Sequence, residues 1–432
     1  MLVMKFGGTS VADAIAMKRV CDIIKSDNRS KKLIVLSACK GITNLLTEIA
    51  LLSAQGNNIL KNKKIEQLLS FHLEICEEGI SNSELKEQTK LKIEKRIDEL
   101  KNLCEGIYLL NDLTEFSNTK LIINGEMLSS TIFSAILEDN NIANSLMNAK
   151  DVIIRIGEKN HISYEVNTKI IEQNFKKSNT VLTQGFIGSD TKGNAISLGR
   201  GGSDYSASLI GSAIDSEEIQ IWSDVSGVLS GDPNLLVNTK TIQSLSFMQV
   251  RELAYYGVQA LHTDAIKPAI EKNIEVRMLN TYKPEDAGTL IKSKIVDSIK
   301  LRSVIKLEGC VICKLEFDFD SNHLIKKIEV LEFIIKHNVK VYNIFSTEHE
   351  VKIIIREEDL EKIQSFQINF EYEYLDLLII IGQDISKILN ILDSENLNSK
   401  VLYGLNEYGF MIMSKAEESM DLYRKVHNVI VD

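Results

Sequence analysis

A lysine beside a glycine pair stands almost at the beginning of this sequence. The stretch MKFGGTS, residues 4–10, places Lys5 close to Gly7 and Gly8 and ends in two hydroxyl side chains. Glycines leave room for an anion and can take a positive φ, and successive backbone N–H groups in such a turn form an anion nest. With the mobile charge of Lys5, the pattern predicts a phosphate site. Taken alone, it also fits a plain glycine turn with a surface lysine.

The residues after these glycines predict a helix that adds to the site. In TSVADAIAMKRVCDII, Thr9 or Ser10 can be the N-cap, and Asp13 follows Ser10 at a capping-box spacing. A helix N-terminus carries a partial positive charge, which here would face the phosphate.

A second glycine-rich loop enters another predicted helix near the middle of the chain. The stretch SLGRGGSDYSASLIGSAI, residues 197–214, places Arg200 among three glycines, followed by Ser203 and Asp204. A guanidinium group binds a carboxylate or a phosphate in a bidentate manner. Ser203 and Asp204 can also be helix N-caps. Two such loops in one α/β region favour an anion-binding site over two structural turns.

Short apolar runs indicate which elements position these loops. Buried strands are predicted around residues 33–36, 121–123, 181–186 and 219–222, and the first three lead into helix-like stretches. This alternation is typical of a mainly parallel sheet, which binds ligands at the carboxyl ends of its strands. Residues 56–115, rich in Lys, Glu, Leu and Asn, predict a helical insertion whose charges form solvated faces or, less simply, a dimer contact.

The last third of the chain has a different pattern. From about residue 300, a strand, a helix and two strands follow one another, and the order then recurs. The repetition predicts two small βαββ units, with a domain boundary near residue 295.

Composition limits the classes of function. The chain has 432 residues, a formal net charge of −10, 44% hydrophobic and 25% charged residues. Two or three globular domains are expected, and a nucleic-acid or anionic-membrane surface is disfavoured. We expect a cytoplasmic protein, because we find no signal-peptide pattern and no apolar run of membrane-spanning length. Six cysteines are too sparse for a disulfide scaffold, and Cys310 and Cys313 are interpreted as strand residues rather than half of a zinc site.

Several motifs together resemble the aspartokinase branch of the amino-acid kinase family. They are KFGGTS, VLSACKGITNLL, NGEMLSS, QGFIGSDTKGNAISLGRGGSD, IWSDVSGVLSGDPN and MQVRELAYYGVQALH. The C-terminal units resemble ACT domains, which are βαββαβ modules that bind amino acids. The resemblance implies an α/β amino-acid kinase domain over residues 1–295, a first ACT-like unit over 296–370 and a second over 371–432, without a fused homoserine dehydrogenase.

The resemblance implies ATP-dependent phosphorylation of the β-carboxylate of L-aspartate, with Mg²⁺ held by the ATP phosphates and no protein metal ligand. An aspartate side chain has a pKa near ~3.9, so no general base is needed. Lys5, Arg200 and Asp204 would be catalytic, with Asp204 in an organising role. Substrate contacts would come from Arg200 to the α-carboxylate, Glu126 to the ammonium group, and Thr43. The expected ATP-binding residues are Lys5, Gly7, Gly8, Thr9, Ser37, Ser223, Asp224, Leu229 and Asn234.

Some positions depart from the family pattern. Leu229 stands where many relatives carry tyrosine, Asn234 where they carry arginine, and Gln259 where lysine is common. Because two cationic partners of the nucleotide are missing, we expect weaker ATP binding than in relatives that have them.

The first ACT-like unit suggests feedback regulation. Asn343, Ser346, Thr347 and Glu348 lie in NIFSTEHEV, which resembles the family's effector-binding turn, although a strand end with ordinary turn chemistry is equally compatible. The resemblance implies lysine as first choice of effector, threonine as second, and a homodimer or a dimer of dimers through the ACT-like units.

Two rival functions remain. One is another enzyme on the same fold, such as a glutamate or acetylglutamate kinase, against which GRGGSD and the ACT-like repeats argue. The other is an amino-acid sensor whose kinase half is inactive, which the missing cations favour and the presence of Lys5, Glu126, Arg200 and Asp204 disfavours.

Overall fold

The fold consists of two compact units. This computed structural model describes residues 1–157, 162–258, 262–295, 300–317, 323–366, 370–382, 384–394, 400–406 and 408–431. The first unit comprises residues 1–228, 243–247 and 260–294, and the second comprises residues 229–242, 248–259 and 295–432.

The strands of the described residues form three sheets. In chain order the strands are β1 (Leu2–Phe6), β2 (Lys32–Leu36), β3 (Asn144–Leu146), β4 (Ile153–Ile156), β5 (Ser163–Val166), β6 (Thr180–Gln184), β7 (Ile187–Ser189), β8 (Ala195–Ser197), β9 (Glu218–Ser223), β10 (Ser244–Ser246), β11 (Glu275–Asn280), β12 (Thr289–Lys292), β13 (Ser303–Glu316), β14 (Val341–Ser346), β15 (Glu350–Arg356), β16 (Phe370–Ile381), β17 (Lys400–Asn406) and β18 (Gly409–Ser414).

The helices connect and cover these sheets. In chain order they are α1 (Ala14–Ser26), α2 (Ile42–Ala54), α3 (Asn58–Gly79), α4 (Ser83–Leu110), α5 (Glu115–Ile122), α6 (Asn124–Asp139), α7 (Ala149–Val152), α8 (Thr168–Lys177), α9 (Gly202–Ala213), α10 (Phe247–Tyr255), α11 (Thr263–Glu271), α12 (His323–Lys336), α13 (Leu360–Gln364), α14 (Ile385–Ser394) and α15 (Ala416–Val431), with a 3₁₀ turn at Glu357–Asp359.

The first unit is organised around an eight-stranded sheet with the order β10-β12-β11-β9-β1-β2-β6-β3. All its pairings are parallel except β11 with β12. A four-stranded sheet, β5-β4-β7-β8, lies in the same unit. Together with the antiparallel sheet of the second unit, this confirms the predicted fold class. The loops after β1 and β2 begin at one edge of the sheet, because these neighbouring strands run in parallel.

Apolar burial fixes β1 and β2 in the middle of the first unit. Leu2, Met4 and Phe6 are fully buried on β1, and Ile34 and Leu36 are fully buried on β2. The same core cluster includes residues of α1, α2, α3, α4 and α6. Strands buried on both faces read as continuous apolar runs, which is why β1, β2 and β9 are recognisable in the sequence.

The predicted strand at residues 121–123 is wrong. Residues 115–122 form α5, whose Thr114 N-cap accepts a hydrogen bond from the N–H of Ser117 at 3.1 Å. In a short apolar run, periodicity does not distinguish a strand from a buried helix. Here the N-cap at Thr114 favours the helix.

Helix α1 also begins later than predicted. Its N-cap is Asp13, whose Oδ1 accepts from the N–H of Ala16 at 2.8 Å, and not Thr9 or Ser10. Ser10 is instead buried, with its Oγ 2.6 Å from the Thr281 hydroxyl. The helix N-terminus is therefore separated from the glycine pair by several residues.

The second unit contains one six-stranded sheet built from both repeats. Its order is β14-β15-β13-β16-β18-β17, and all its pairings are antiparallel. The two copies of strand, helix, strand, strand that the sequence predicts begin at β13 and at β16, and α15 follows the second copy. Each repeat has its own apolar cluster, and Leu236 lies in the cluster of the second repeat.

Within the described residues, one helical stretch, Glu115–Asp139, has the length and apolar composition of a membrane span, contrary to the expectation of none. Of its apolar window, 67% is buried inside the protein, as in a core helix.

Candidate active site

Lys5 and Asp204 form an ion pair where the two glycine-rich loops meet. Lys5 Nζ lies 2.6 Å from Asp204 Oδ1, and the two side chains are only 11% and 14% exposed. Lys5 is on β1, and Asp204 is in the first turn of α9. Asp204 is thus not a helix N-cap, since that position belongs to Gly201. The pair holds the ammonium group in one place, because both side chains have little access to competing water.

The glycine pair brings two loops into close contact. Neither glycine has a positive φ, contrary to the expectation from sequence. A Cβ on Gly8 would lie 2.8 Å from the carbonyl oxygen of Ala38, so a glycine is required for close approach rather than for an unusual backbone conformation. The N–H of Gly7 donates to the Trp222 carbonyl at 3.0 Å. The predicted anion nest therefore lacks one of its two donors.

The arginine-bearing loop does depend on positive φ angles. Gly199 has a φ of 79° and Gly201 a φ of 69°, and Arg200 lies between them. Arg200 is exposed, and within the described part of the chain no carboxylate pairs with it. This guanidinium group is therefore available to an anionic ligand.

Glu126 is a buried carboxyl group with a free oxygen. It lies in the first turn of α6 and is 4% exposed. Burial raises its pKa to about 8, although hydrogen bonds from the backbone N–H groups of Glu126 and Ala38 oppose the rise. Its Oε2 has no hydrogen-bond partner in the structure. An unpartnered buried oxygen is costly, so a ligand that donates to Glu126 would stabilise this arrangement.

These groups line one cavity of about 380 Å³ in the first unit. Its walls are residues 37–41 and 199–204, together with Lys5, Gly8, Thr43, Glu126 and Phe186. The cavity thus presents cations, backbone loops and a buried acid to one small ligand. Such a site suits a compact zwitterion with more than one carboxylate.

Comparison with known proteins identifies the fold's relatives. Residues 1–280 match the amino acid kinase family. The chain belongs to this family.

Curated relatives place the chain in the family's aspartokinase branch. It is 28% identical to lysine-sensitive aspartokinase 3 of Escherichia coli, over 99% of this chain and 98% of the relative. It is 29% identical to a bifunctional aspartokinase/homoserine dehydrogenase of Buchnera aphidicola, over 100% of this chain and 56% of the relative. The chain thus spans little more than half the length of that bifunctional relative.

Solved structures agree with this assignment. Escherichia coli aspartokinase III in complex with lysine and aspartate has a TM-score of 0.81 and 26% identity, with each chain covered completely. The same enzyme in complex with aspartate and ADP has a TM-score of 0.74 and 26% identity, again with complete coverage of both chains. Together, the family match, the relatives and these structures confirm the resemblance to aspartokinases.

Several predicted site residues do not line the cavity. Gly7 and Thr9 follow β1, with Tyr282 donating its hydroxyl to the Thr9 carbonyl, and Ser223 and Asp224 lie at the end of β9. In the second unit, Leu229 bridges to Thr241, and the Asn234 side chain donates to Asp232 Oδ1 at 3.0 Å. The predicted effector residues Asn343 and Ser346 are on β14, while Thr347 and Glu348 are in the turn before β15. Gln259 lies outside the described residues.

Phe186 and Lys40 are among the cavity-wall residues that sequence reasoning did not assign to the site. Phe186 has a φ of 66°, which is strained for an aromatic residue, and its N–H donates to Ser206 Oγ at 3.0 Å. Lys40 adds a cation to the wall. The only signal for each in the sequence is its position in a motif, after the glycine of QGF and before that of KGIT.

Within the described residues, no group of three or more His, Cys, Asp and Glu side chains is placed to hold a metal ion. Asp204 is already paired with Lys5, and Glu126 accepts hydrogen bonds from backbone N–H groups. An Mg²⁺ ion whose ligands are the phosphates of a nucleotide and water would fit these residues, because it needs no ligand cluster from the protein.

Proposed function

We propose that this chain transfers the terminal phosphoryl group of ATP to the β-carboxylate of L-aspartate and forms 4-phospho-L-aspartate. The observation that carries the proposal is the shared cavity, in which the Lys5–Asp204 pair, the free guanidinium group of Arg200 and the buried Glu126 surround one space. The relatives named aspartokinase and the Escherichia coli complexes with aspartate support it.

The chemistry of this transfer is mostly electrostatic. The acceptor carboxylate is ionised at neutral pH, because its pKa is near ~3.9, and no base has to remove a proton. Lys5 neutralises charge on the transferred group, and Asp204 orients Lys5. Arg200 binds the α-carboxylate, and Glu126 accepts from the ammonium group. When ATP is bound, Mg²⁺ on its phosphates offsets their charge.

The product is the first intermediate toward lysine, threonine and methionine, and we place the enzyme in the cytoplasm. We assign the nucleoside to Ser223 and Asp224, and we expect ATP affinity to be lower than in relatives that carry an arginine at the position of Asn234.

Feedback inhibition by lysine is the preferred regulation, with threonine second. The Escherichia coli complex with lysine and aspartate supports this choice. The effector turn carries Asn343, Ser346, Thr347 and Glu348, and β14 is an edge strand of its sheet. Leu324 and Ile335 of α12 are 68% and 78% exposed, which supports association of the regulatory units into a homodimer or a dimer of dimers.

A hydroxamate assay with ATP tests the proposed function. Acyl phosphate from aspartate, but not from glutamate or acetylglutamate, is the expected result, and added lysine should reduce it. If only glutamate gave product, the proposed acceptor would be wrong and the protein would be a glutamate kinase. If a correctly folded sample forms no product with any of the three acceptors, the protein is a sensor without kinase activity.

A further inference from the structure

Among the described residues, three cations line the candidate active-site cavity, and they differ in whether they form an ion pair. Lys5 is paired with Asp204 at 2.6 Å, whereas Lys40 and Arg200 have no ion pair with any described residue. The paired lysine contributes little net charge. The cavity therefore offers two separate positive charges to a ligand.

Backbone contacts fix the position of Lys40 at the cavity wall. The N–H of Lys40 donates to the carbonyl oxygen of Gly8 at 3.0 Å. A Cβ built on Gly8 would also lie within 3.5 Å of the Lys40 Cα. The backbone of Lys40 thus lies where the loop after β1 contacts the loop after β2. Its side chain is exposed and can contact a ligand.

The charges of the cavity match an amino acid with two carboxylates. Burial keeps the pKa of Glu126 at about 8, so this carboxyl group is mostly neutral in the empty cavity at pH 7. Its Oε2 lacks a partner and suits an ammonium group. Because Lys5 is paired with Asp204, the unpaired cations of the cavity are Lys40 and Arg200. They provide one cation for each carboxylate of the ligand.

On this basis we propose that Lys40 binds the reacting side-chain carboxylate of aspartate, while Arg200 binds the α-carboxylate. The inference deepens the proposed function and rests on it. Lys40 then acts as a catalytic residue that selects a dicarboxylic acceptor.

The proposed role of Lys40 follows from the electrostatic repulsion between the two reacting anions. A carboxylate oxygen of aspartate forms a bond to the γ-phosphorus, and the bond from that phosphorus to the oxygen bridging to ADP breaks, with its electron pair leaving on ADP. No proton is transferred. The two anions repel as they approach, and a cation on the acceptor lowers that repulsion.

The test compares Lys40→Met and Lys40→Arg with the wild-type protein. Lys63→Met is the control, because Lys63 is an exposed lysine on α3 and its loss changes the net charge equally. In Lys40→Met, the KM for aspartate should rise about tenfold or more, as for a lost charge-assisted hydrogen bond, with the KM for ATP within about twofold. Lys40→Arg should recover most of the affinity, and Lys63→Met should behave as wild type.

Binding of asparagine gives an independent readout, because asparagine differs from aspartate at the side-chain carboxylate. Calorimetry without nucleotide should show a clear preference of the wild type for aspartate over asparagine, and a preference at least about fivefold smaller in Lys40→Met.

The possible outcomes separate the two proposals. An unchanged aspartate KM and an unchanged preference in Lys40→Met, or a rise in the KM for ATP instead, would overturn the role of Lys40 while leaving the aspartate kinase intact. A wild-type protein that binds aspartate without phosphorylating it would refute the proposed function, and the asparagine comparison would still decide on Lys40. A wild type that binds no aspartate would overturn both.

Discussion

Lys5 Nζ lies 2.6 Å from Asp204 Oδ1, joining the first strand of the chain to the first turn of α9. Both side chains are largely buried, so each needs the other to offset its desolvation. In the proposed reaction, Asp204 holds Lys5 in position until the phosphates of ATP arrive.

This relationship predicts a non-additive effect on stability. Asp204→Ala leaves the buried ammonium group of Lys5 without a partner and should lower the free energy of unfolding by about 3 kcal/mol. The double variant Lys5→Met/Asp204→Leu removes both charges and should lose less than Asp204→Ala alone. Urea unfolding measures both, and a double variant less stable than the single one would contradict the pairing.

The same pair predicts the catalytic effect of Lys5. Lys5→Ala should lower kcat by about 10²-fold or more, since one positioned charge on the developing phosphoryl group is lost. The hydroxamate assay measures this in samples whose circular dichroism matches the wild type. Unchanged turnover would show that the glycine loop does not carry the chemistry.

Glu126 predicts proton release on substrate binding. Its pKa of about 8 keeps it mostly protonated at pH 7, and an ammonium group bound to it favours the ionised form. Aspartate binding at pH 7 should therefore release nearly one proton, measured by calorimetry in buffers of different ionisation enthalpy. Glu126→Gln should release none. Equal heats across buffers for the wild type would refute this role.

Glu126 also predicts a pH dependence of stability without ligand. A carboxyl group whose folded pKa is raised binds more protons in the folded state than in the unfolded state, so it stabilises the fold at low pH. This contribution should be lost as pH rises from about 4.5, the ordinary value, to about 8. Urea unfolding of the wild type and Glu126→Gln across this range should show the loss only in the wild type.

Gly8 predicts a steric effect on the cavity. Gly8→Ala places a Cβ 2.8 Å from the Ala38 carbonyl and must push the two loops apart, so activity should fall strongly. Gly106→Ala is the matched control, because a Cβ there meets nothing within 4 Å and Gly106 lies inside α4. The control should gain about 0.5–1 kcal/mol of stability and keep full activity. A fully active Gly8→Ala variant would contradict the close-approach interpretation.

The sequence determined much of this fold and site. Continuous apolar runs at β2, β6 and β9 predicted buried parallel strands, and the motifs that follow these strands carried the family resemblance. Residues 115–122 escaped this reasoning, because a short apolar run has no period long enough to separate strand from helix. The sequence also misplaced the start of α1: it offered Thr9 or Ser10 as the N-cap, whereas Ser10 packs against Thr281 and Asp13 is the cap.

The sequence alone therefore determined which residue types are present and which glycine-rich loops and motifs carry them. The tertiary structure decided their states: it paired Lys5, left Arg200 and Lys40 unpaired, and buried Glu126 with one oxygen free. Pairing and burial depend on which distant segments come within a few ångströms of each other. Local patterns of residues do not contain that information, because the free energy of a charge depends on everything that surrounds it.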